Sequence, residues 1–297
     1  MAELRQLSSE LGNPGVTPLW LAVQRKGLNV TKKQVESFVR QKGEKQIFQA
    51  VQPSKGKSVS ESLDARWQMD LIVFTGQAVT VNRKTYRYIL VCINVFDRYI
   101  YGEAIESKEP TVVKAALEKI FSYTRKLPKL ISSDQGQEFQ KDVAQFLVSK
   151  NIAHKLKNVG DVNAIGVIDK AIQSLKQKIA QIVTSGGSWV AALPRAVAAA
   201  NNTPKTGVLH GAAPKDVRDD DDVRFMLLQD NAGKMKHNTA LTERRTAALE
   251  NTGSFRAPLP KRTGKFKRSY QATYGEAQQV ASVRGSTVTD TQGGHTN

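Results

Sequence analysis

Residues 86–96 form the longest β-like run in the chain and constrain the fold more than any other feature. Tyr86, Tyr88, Ile89, Leu90, Val91, Cys92, Ile93, Val95 and Phe96 are aromatic, branched or apolar, and neither Gly nor Pro interrupts them. Leu71, Ile72, Val73 and Phe74 precede this run as a short stretch suited to a buried strand, and residues 99–105 follow it across Asp97 and Arg98. Three such runs in succession predict an antiparallel meander. Pro110 then opens a helical pattern with Val112, Val113, Ala116, Leu117, Ile120 and Phe121 on one face. A strand at 129–131, a helix through Val143, Phe146 and Leu147, a strand at 152–156 and helices at 165–183 and 189–200 complete the order. The expected fold class is α/β: a mixed sheet flanked by helices, with the meander at one side.

The flanks differ from this body. Residues 1–64 read as a small helical module and a linker. Leu19, Trp20, Ala22 and Val23 mark one short helix, and Thr31 with Gln34 resembles a capping box opening a second that carries Val35, Phe38 and Val39. Two helices across Gly27-Leu28-Asn29, with basic residues outside, fit a helix-turn-helix and fit a plain helical module equally. Residues 52–60 read as linker. The body is placed at 65–217. Residues 218–253 read as a charged helical linker, beginning with a solvated acidic run at 219–222. Residues 254–297 read as a basic β segment with a disordered polar tail after Gln292.

Charge narrows the partners. The 297 residues hold 44 Lys+Arg against 27 Asp+Glu, a net charge of +17. A polyanion, most often nucleic acid, is the partner such an excess suits. No apolar run approaches the roughly 18 residues of a membrane span, and no secretory leader is expected from residues 1–20. Cys92 is the single cysteine, so a disulfide framework or a Cys-rich zinc module is excluded.

Three acids stand at ends of these elements: Asp70 in the first strand, Asp134 just past the fourth, and Asp169 on a later helix. Singly, each suits an ordinary turn, strand edge or solvated helix position. Together they suit a hard divalent cation, which prefers carboxylate oxygens. A pair of such ions can serve phosphodiester chemistry.

At these residues the chain resembles the retroviral integrase superfamily. The likeness rests on Asp70 in its strand, on Asp134-Gln135-Gly136-Gln137-Glu138-Phe139, and on Asp169 within Gly166-Val167-Ile168-Asp169-Lys170. It extends to the strand pair through Asn94-Val95-Phe96-Asp97-Arg98-Tyr99, to Asn201-Asn202-Thr203-Pro204 and to Gly211-Ala212-Ala213-Pro214. The resemblance implies a ribonuclease-H-like fold over about 65–217 and metal-dependent DNA strand transfer by a mobile element. It also implies Mg²⁺ or Mn²⁺ held by Asp70, Asp134 and Asp169, DNA as partner and a homo-oligomer; the compartment is nuclear or unknown. The front module resembles that of integrases from Polinton/Maverick-type elements or retrotransposons, and the rear segment an SH3-like barrel, complete or not, that binds DNA. Phosphate contacts are expected at Lys155, Lys157, Lys170, Lys176 and Lys178 around the site, and at Arg256, Lys265, Lys267 and Arg268 behind it. One departure matters: the family's third acid is Glu, one residue further on, and Asp169 retracts the carboxylate by about 1.5 Å. Two alternatives therefore stand beside an active integrase: a DNA-binding remnant with weakened or lost catalysis, and a nuclease on the same fold.

Overall fold

The computed structural model describes residues 1–42, 56–157, 165–184, 187–259, 274–284 and 287–296. It divides into two compact units, one comprising residues 53–244 and the other residues 1–52 together with 245–297.

In the larger unit, β1 (Arg66–Val73) is central. It pairs antiparallel with β4 (Tyr88–Asn94), which pairs antiparallel with the edge strand β5 (Ile100–Ile105). On its other side β1 runs parallel to β6 (Leu130–Ser133), and β6 parallel to β7 (Ala153–Leu156). The order β5-β4-β1-β6-β7 is the mixed sheet expected, with the meander at one side. The run at 86–96 is not one strand. Tyr86 closes a separate hairpin of β2 (Val79–Val81) and β3 (Lys84–Tyr86), and Arg87 breaks away to donate to Ile105 O. The turn Asn82-Arg83, with φ of 49° and 66°, makes that hairpin. Both central positions there have positive φ, as a tight two-residue turn requires.

Alternation along β1 sorts its side chains. Trp67, Met69 and Leu71 join Leu90 and Cys92 in the core beneath α4 (Pro110–Thr124) and α5 (Asp142–Ser149). Ile72 joins Ile89, Val91 and Ile93 beneath α6 (Gly166–Val183) and α7 (Trp189–Asn202). Gln68 and Asp70 share the parity of Ile72 and so face α6. That helix buries Ile168, Ala171, Leu175 and Ile179, a stripe at helical spacing.

Asn201, near the end of α7, is buried and spans a gap in the edge strand. Its Oδ1 accepts from Ile100 N at 2.8 Å and its Nδ2 donates to Ile100 O at 2.8 Å. After the short α8 (Thr206–Leu209), the acidic run is not simply solvated. Asp220 Oδ1 accepts from Val223 N and caps α9 (Asp221–Thr252). Val223 and Leu227 of α9 pack with Phe96, Leu209 and Val217. Part of the expected linker at 52–60 is tied down as well. Lys57 N and O pair with the Asn238 side chain, and Ser60 O accepts from Asn231.

In the smaller unit, α2 (Val16–Arg25) and α3 (Lys32–Lys42) were expected, whereas α1 (Ala2–Glu10) was not. Leu4, Leu7, Leu19, Val23, Val35 and Phe38 form their shared core. The capping box is real: Thr31 N donates to Gln34 Oε1 at 2.8 Å, and Gln34 N to Thr31 Oγ1 at 3.3 Å. Gly27, at φ +64°, ends α2 in a left-handed turn that a side chain would strain. The rear segment is a four-stranded sheet of β8 (Ser254–Pro258), β9 (Tyr274–Arg284), β10 (Thr287–Asp290) and β11 (His295–Thr296). The tail read as disordered is thus a turn and a strand. Buried Asp290 Oδ1 accepts from Gln292 N and Gly294 N, which bends the chain so that β11 pairs with β10.

Asn201→Ala leaves both backbone groups of Ile100 buried without partners. It should lower unfolding stability by about 2–4 kcal/mol, read as a lower urea midpoint with an unchanged m-value.

Candidate active site

The parallel pairing of β1 with β6 places the acids. Gln68 stands opposite Ser132. Two residues further on each strand are Asp70, still paired with Val91 of β4, and Asp134, where β6 has just ended. Both therefore lie at the carboxyl end of neighbouring parallel strands, where an α/β sheet opens to ligands. Asp134 is held by its own loop: its Oδ1 accepts from Gly136 N at 3.0 Å. Asp70 Oδ1 accepts from Leu71 N at 2.7 Å.

Asp169 comes from the other side, in the first turn of α6. Its placement depends on Gln68, a buried residue that sequence reasoning missed. Gln68 Oε1 accepts from Ile168 N at 2.9 Å, which docks the start of α6 on the strand face that carries Asp70. Asp169 is exposed. The Trp67-Gln68-Met69-Asp70 alternation could have revealed Gln68, since a polar residue two before an acid shares its face.

A fourth carboxylate, Glu138, adjoins Asp134. A Cβ built on Gly136 would stand 2.6 Å from the Glu138 carboxylate and 3.0 Å from Asp134 Oδ1. Gly136 has an ordinary φ of −54°. Glycine is needed there for space, because the Glu138 head folds back over the loop towards Asp134.

Electrostatics tie these acids together. Burial pushes the Asp70 carboxyl up to about 6, and the charges of Asp134, Asp169 and Glu138 push the same way against the Leu71 N–H. Among the described residues, however, no three acids stand close enough to hold one ion as a set. The donor chemistry still suits Mg²⁺, which needs only one or two carboxylates and keeps its waters.

Ser133 and His154 support the Asp134 loop from below. Ser133 Oγ donates to Asp134 O at 2.9 Å and lies 2.9 Å from His154 Nε2. With its one proton given to Asp134 O, the hydroxyl accepts from Nε2–H, which sets the histidine tautomer. Burial lowers the His154 pKa, favouring this neutral ring.

The expected basic contacts fall out as follows. Lys155 is exposed on β7, and Lys157 follows it with its N–H on Ser133 O. Lys170 and Lys176 are exposed on α6, with Lys170 donating to Gln173, while Lys178 donates to Thr203. Arg256 donates to Gly275 O within the rear sheet. Lys265, Lys267 and Arg268 lie outside the described residues.

Asp70→Asn should stabilise the metal-free protein at pH 7 by about 1–2 kcal/mol, discounted for partial solvation. Above about pH 6 the folded wild type bears the cost of an ionised Asp70 among like charges. As pH falls through 6 the folded group takes up its proton, and at pH 4, close to the ordinary carboxyl value of 3.8, most of the advantage of the variant should be gone. Urea titrations of both proteins at pH 4 and pH 7 measure it.

The integrase core domain family model matches residues 62–162. A transposon-derived protein of Caenorhabditis elegans is 27% identical over 132 residues, covering 44% of this chain and 45% of that protein. The Gag-Pol polyprotein of koala retrovirus is 31% identical over 160 residues, covering 50% of this chain and 9% of the polyprotein. The chain thus spans under half the length of these curated relatives. A chain of the simian T-cell lymphotropic virus intasome superposes with a TM-score of 0.60 at 12% identity, covering 96% of this chain and 91% of that one, and it shares the fold. Over residues 62–162 the chain is thus similar to the integrase core domain, and the sheet that brings Asp70 beside Asp134 has the ribonuclease-H-like fold of retroviral-type integrase catalytic cores.

Proposed function

We propose that the protein is an integrase that joins a mobile element's DNA end to target DNA by metal-dependent strand transfer. The observation that carries this reading is the placement of Asp70 and Asp134 at the open ends of the neighbouring parallel strands β1 and β6, with Asp169 and Glu138 near enough for their charges to raise the Asp70 pKa. Mg²⁺ or Mn²⁺ bound there would lower the barrier by activating the attacking oxygen and stabilising the leaving one. Asp70 and Asp134 would hold it, with Asp169 contributing from α6.

The chain's own residues do the rest. The Leu71 and Gly136 N–H groups orient the two strand-end carboxylates. Gln68 sets the helix that presents Asp169 and Lys170 on the same side. Phosphate contacts are assigned to Lys155, Lys157, Lys170 and Lys176 in the same proposal, so DNA affinity should fall steeply with salt. DNA as partner and assembly into a multimer belong to the same proposal, supported by the likeness to an intasome chain. The rear sheet, with Arg256 and the basic stretch at 261–268, is assigned as a further DNA-binding surface.

The second reading, a core with weakened catalysis, is favoured by Asp169 itself, which is short, exposed and, among the described residues, not grouped with two other acids. A labelled donor end incubated with target DNA and Mg²⁺ or Mn²⁺ separates the readings. An active integrase gives joined product that Asp134→Asn reduces by about a thousandfold or more. Product from Asp169→Glu but none from wild type establishes the weakened core, and cutting without joining establishes a nuclease. Melting midpoints give a readout apart from activity: Mg²⁺ should stabilise wild type and fail to stabilise Asp70→Asn.

A further inference from the structure

Asp70 lies towards the carboxyl end of β1. At the other end of the sheet, beyond the Trp67–Asn94 pair, the chain turns through Asp97 and Arg98 into β5. Arg98 takes a left-handed φ of 61°. Its Nη1 is buried and has no hydrogen-bond partner. A guanidinium nitrogen left in that state costs free energy that a negatively charged acceptor recovers.

The carboxylates at this end are engaged mainly by Arg218, and buried Asp97 Oδ2 has an ion pair with it but no hydrogen-bond partner among the described residues. Arg218 binds Asp64 in a fork at 2.7 and 2.8 Å and contacts Asp97 through Nε at 3.1 Å. Asp97 also accepts from Tyr99 N, and it offsets only part of the burial that lowers the Arg98 pKa to about 10. Asp230 is taken by His210 at 3.1 Å.

What faces Arg98 from the surrounding elements is further positive charge. Lys205, half-buried in the turn after α7, has its pKa lowered by burial and then by Lys178 and Arg98. Lys234 on α9 is lowered by burial and, against the help of Asp230, by Arg98 and Lys57. Lys178 completes the group, held by Thr203 at 2.9 Å. Cations outnumbering the carboxylates at this end are the electrostatic complement of a multivalent oxyanion.

We propose that Arg98, Lys205 and Lys178 form a seat for one phosphate group, at the sheet end remote from Asp70. The long Lys205 side chain turns outward, and Arg98 rotates to give Nη1–H to a phosphate oxygen. A DNA backbone and a free polyphosphate present the same chemistry. A DNA phosphate seated here would not be the one that reacts, since Asp70 is three residues further along β1 than Trp67, roughly 10 Å. The seat would hold a flanking stretch of duplex and fix its register.

The test uses the full chain. Sodium phosphate and tripolyphosphate should raise the melting midpoint of wild type above sodium chloride at equal ionic strength, and Lys205→Gln should lose that rise. Arg98→Gln should lose it too, with Arg98→Lys as the charge-retaining comparison; if the Arg98 variants do not fold, Lys205→Gln alone decides. For a short duplex, the slope of log affinity against log salt should be shallower in Lys205→Gln by about 0.9, one phosphate. A lost phosphate rise with an unchanged slope assigns the seat to a free polyphosphate. No specific rise in wild type together with an unchanged slope overturns the proposal, as does a full rise in Lys205→Gln. Asp134→Asn should keep the rise, so failure of the strand-transfer reading and failure of this one are told apart.

Discussion

Strand β1 is the member on which the rest of the larger unit depends. It is bonded antiparallel on one side and parallel on the other, and its two faces support two separate helical layers. Displacing it by one residue would exchange Trp67, Met69 and Leu71 for Gln68, Asp70 and Ile72 on each face. The apolar side chains beneath α4 forbid that exchange, so the core that stabilises the sheet also fixes which way Asp70 points.

The same strand carries the device that brings in the distant helix. A single buried hydrogen bond from Ile168 N to Gln68 ties residues 100 positions apart. A helix N-terminus has unpaired N–H groups, and Gln68 satisfies one while the apolar stripe of α6 seals the sheet. Asp169 is thereby set near Asp70 without packing against it, which leaves its carboxylate in solvent.

At the opposite end, charge is organised differently. Arg218 draws Asp64 and buried Asp97 together, joining the entry to β1, the turn after β4 and the approach to α9. Its pairing supplies the counter-charge for two acids, of which Asp97 is fully buried. The neighbouring Arg98 receives no such partner. The two ends of one sheet thus leave different groups unmatched: the crowded carboxylate of Asp70 at one and Arg98 Nη1 at the other.

Much of this was legible in the chain alone. Apolar periodicity determines the strands and helices of the larger unit, because burial on one face or two leaves its period in the residues. The acids and the Thr31–Gln34 box were readable for the same local reasons. Four features were not: the break at Arg87, helix α1, the β11 strand made by Asp290, and the role of Gln68. Each depends on a partner remote in sequence or on a side chain satisfying backbone groups, and neither has a period. The sequence by itself determined which residues could carry charge to a nucleic acid and a metal, and in what order the elements come. Only the tertiary structure decided which of them meet, because pairing register and helix docking are set by contacts between segments that no local pattern encodes.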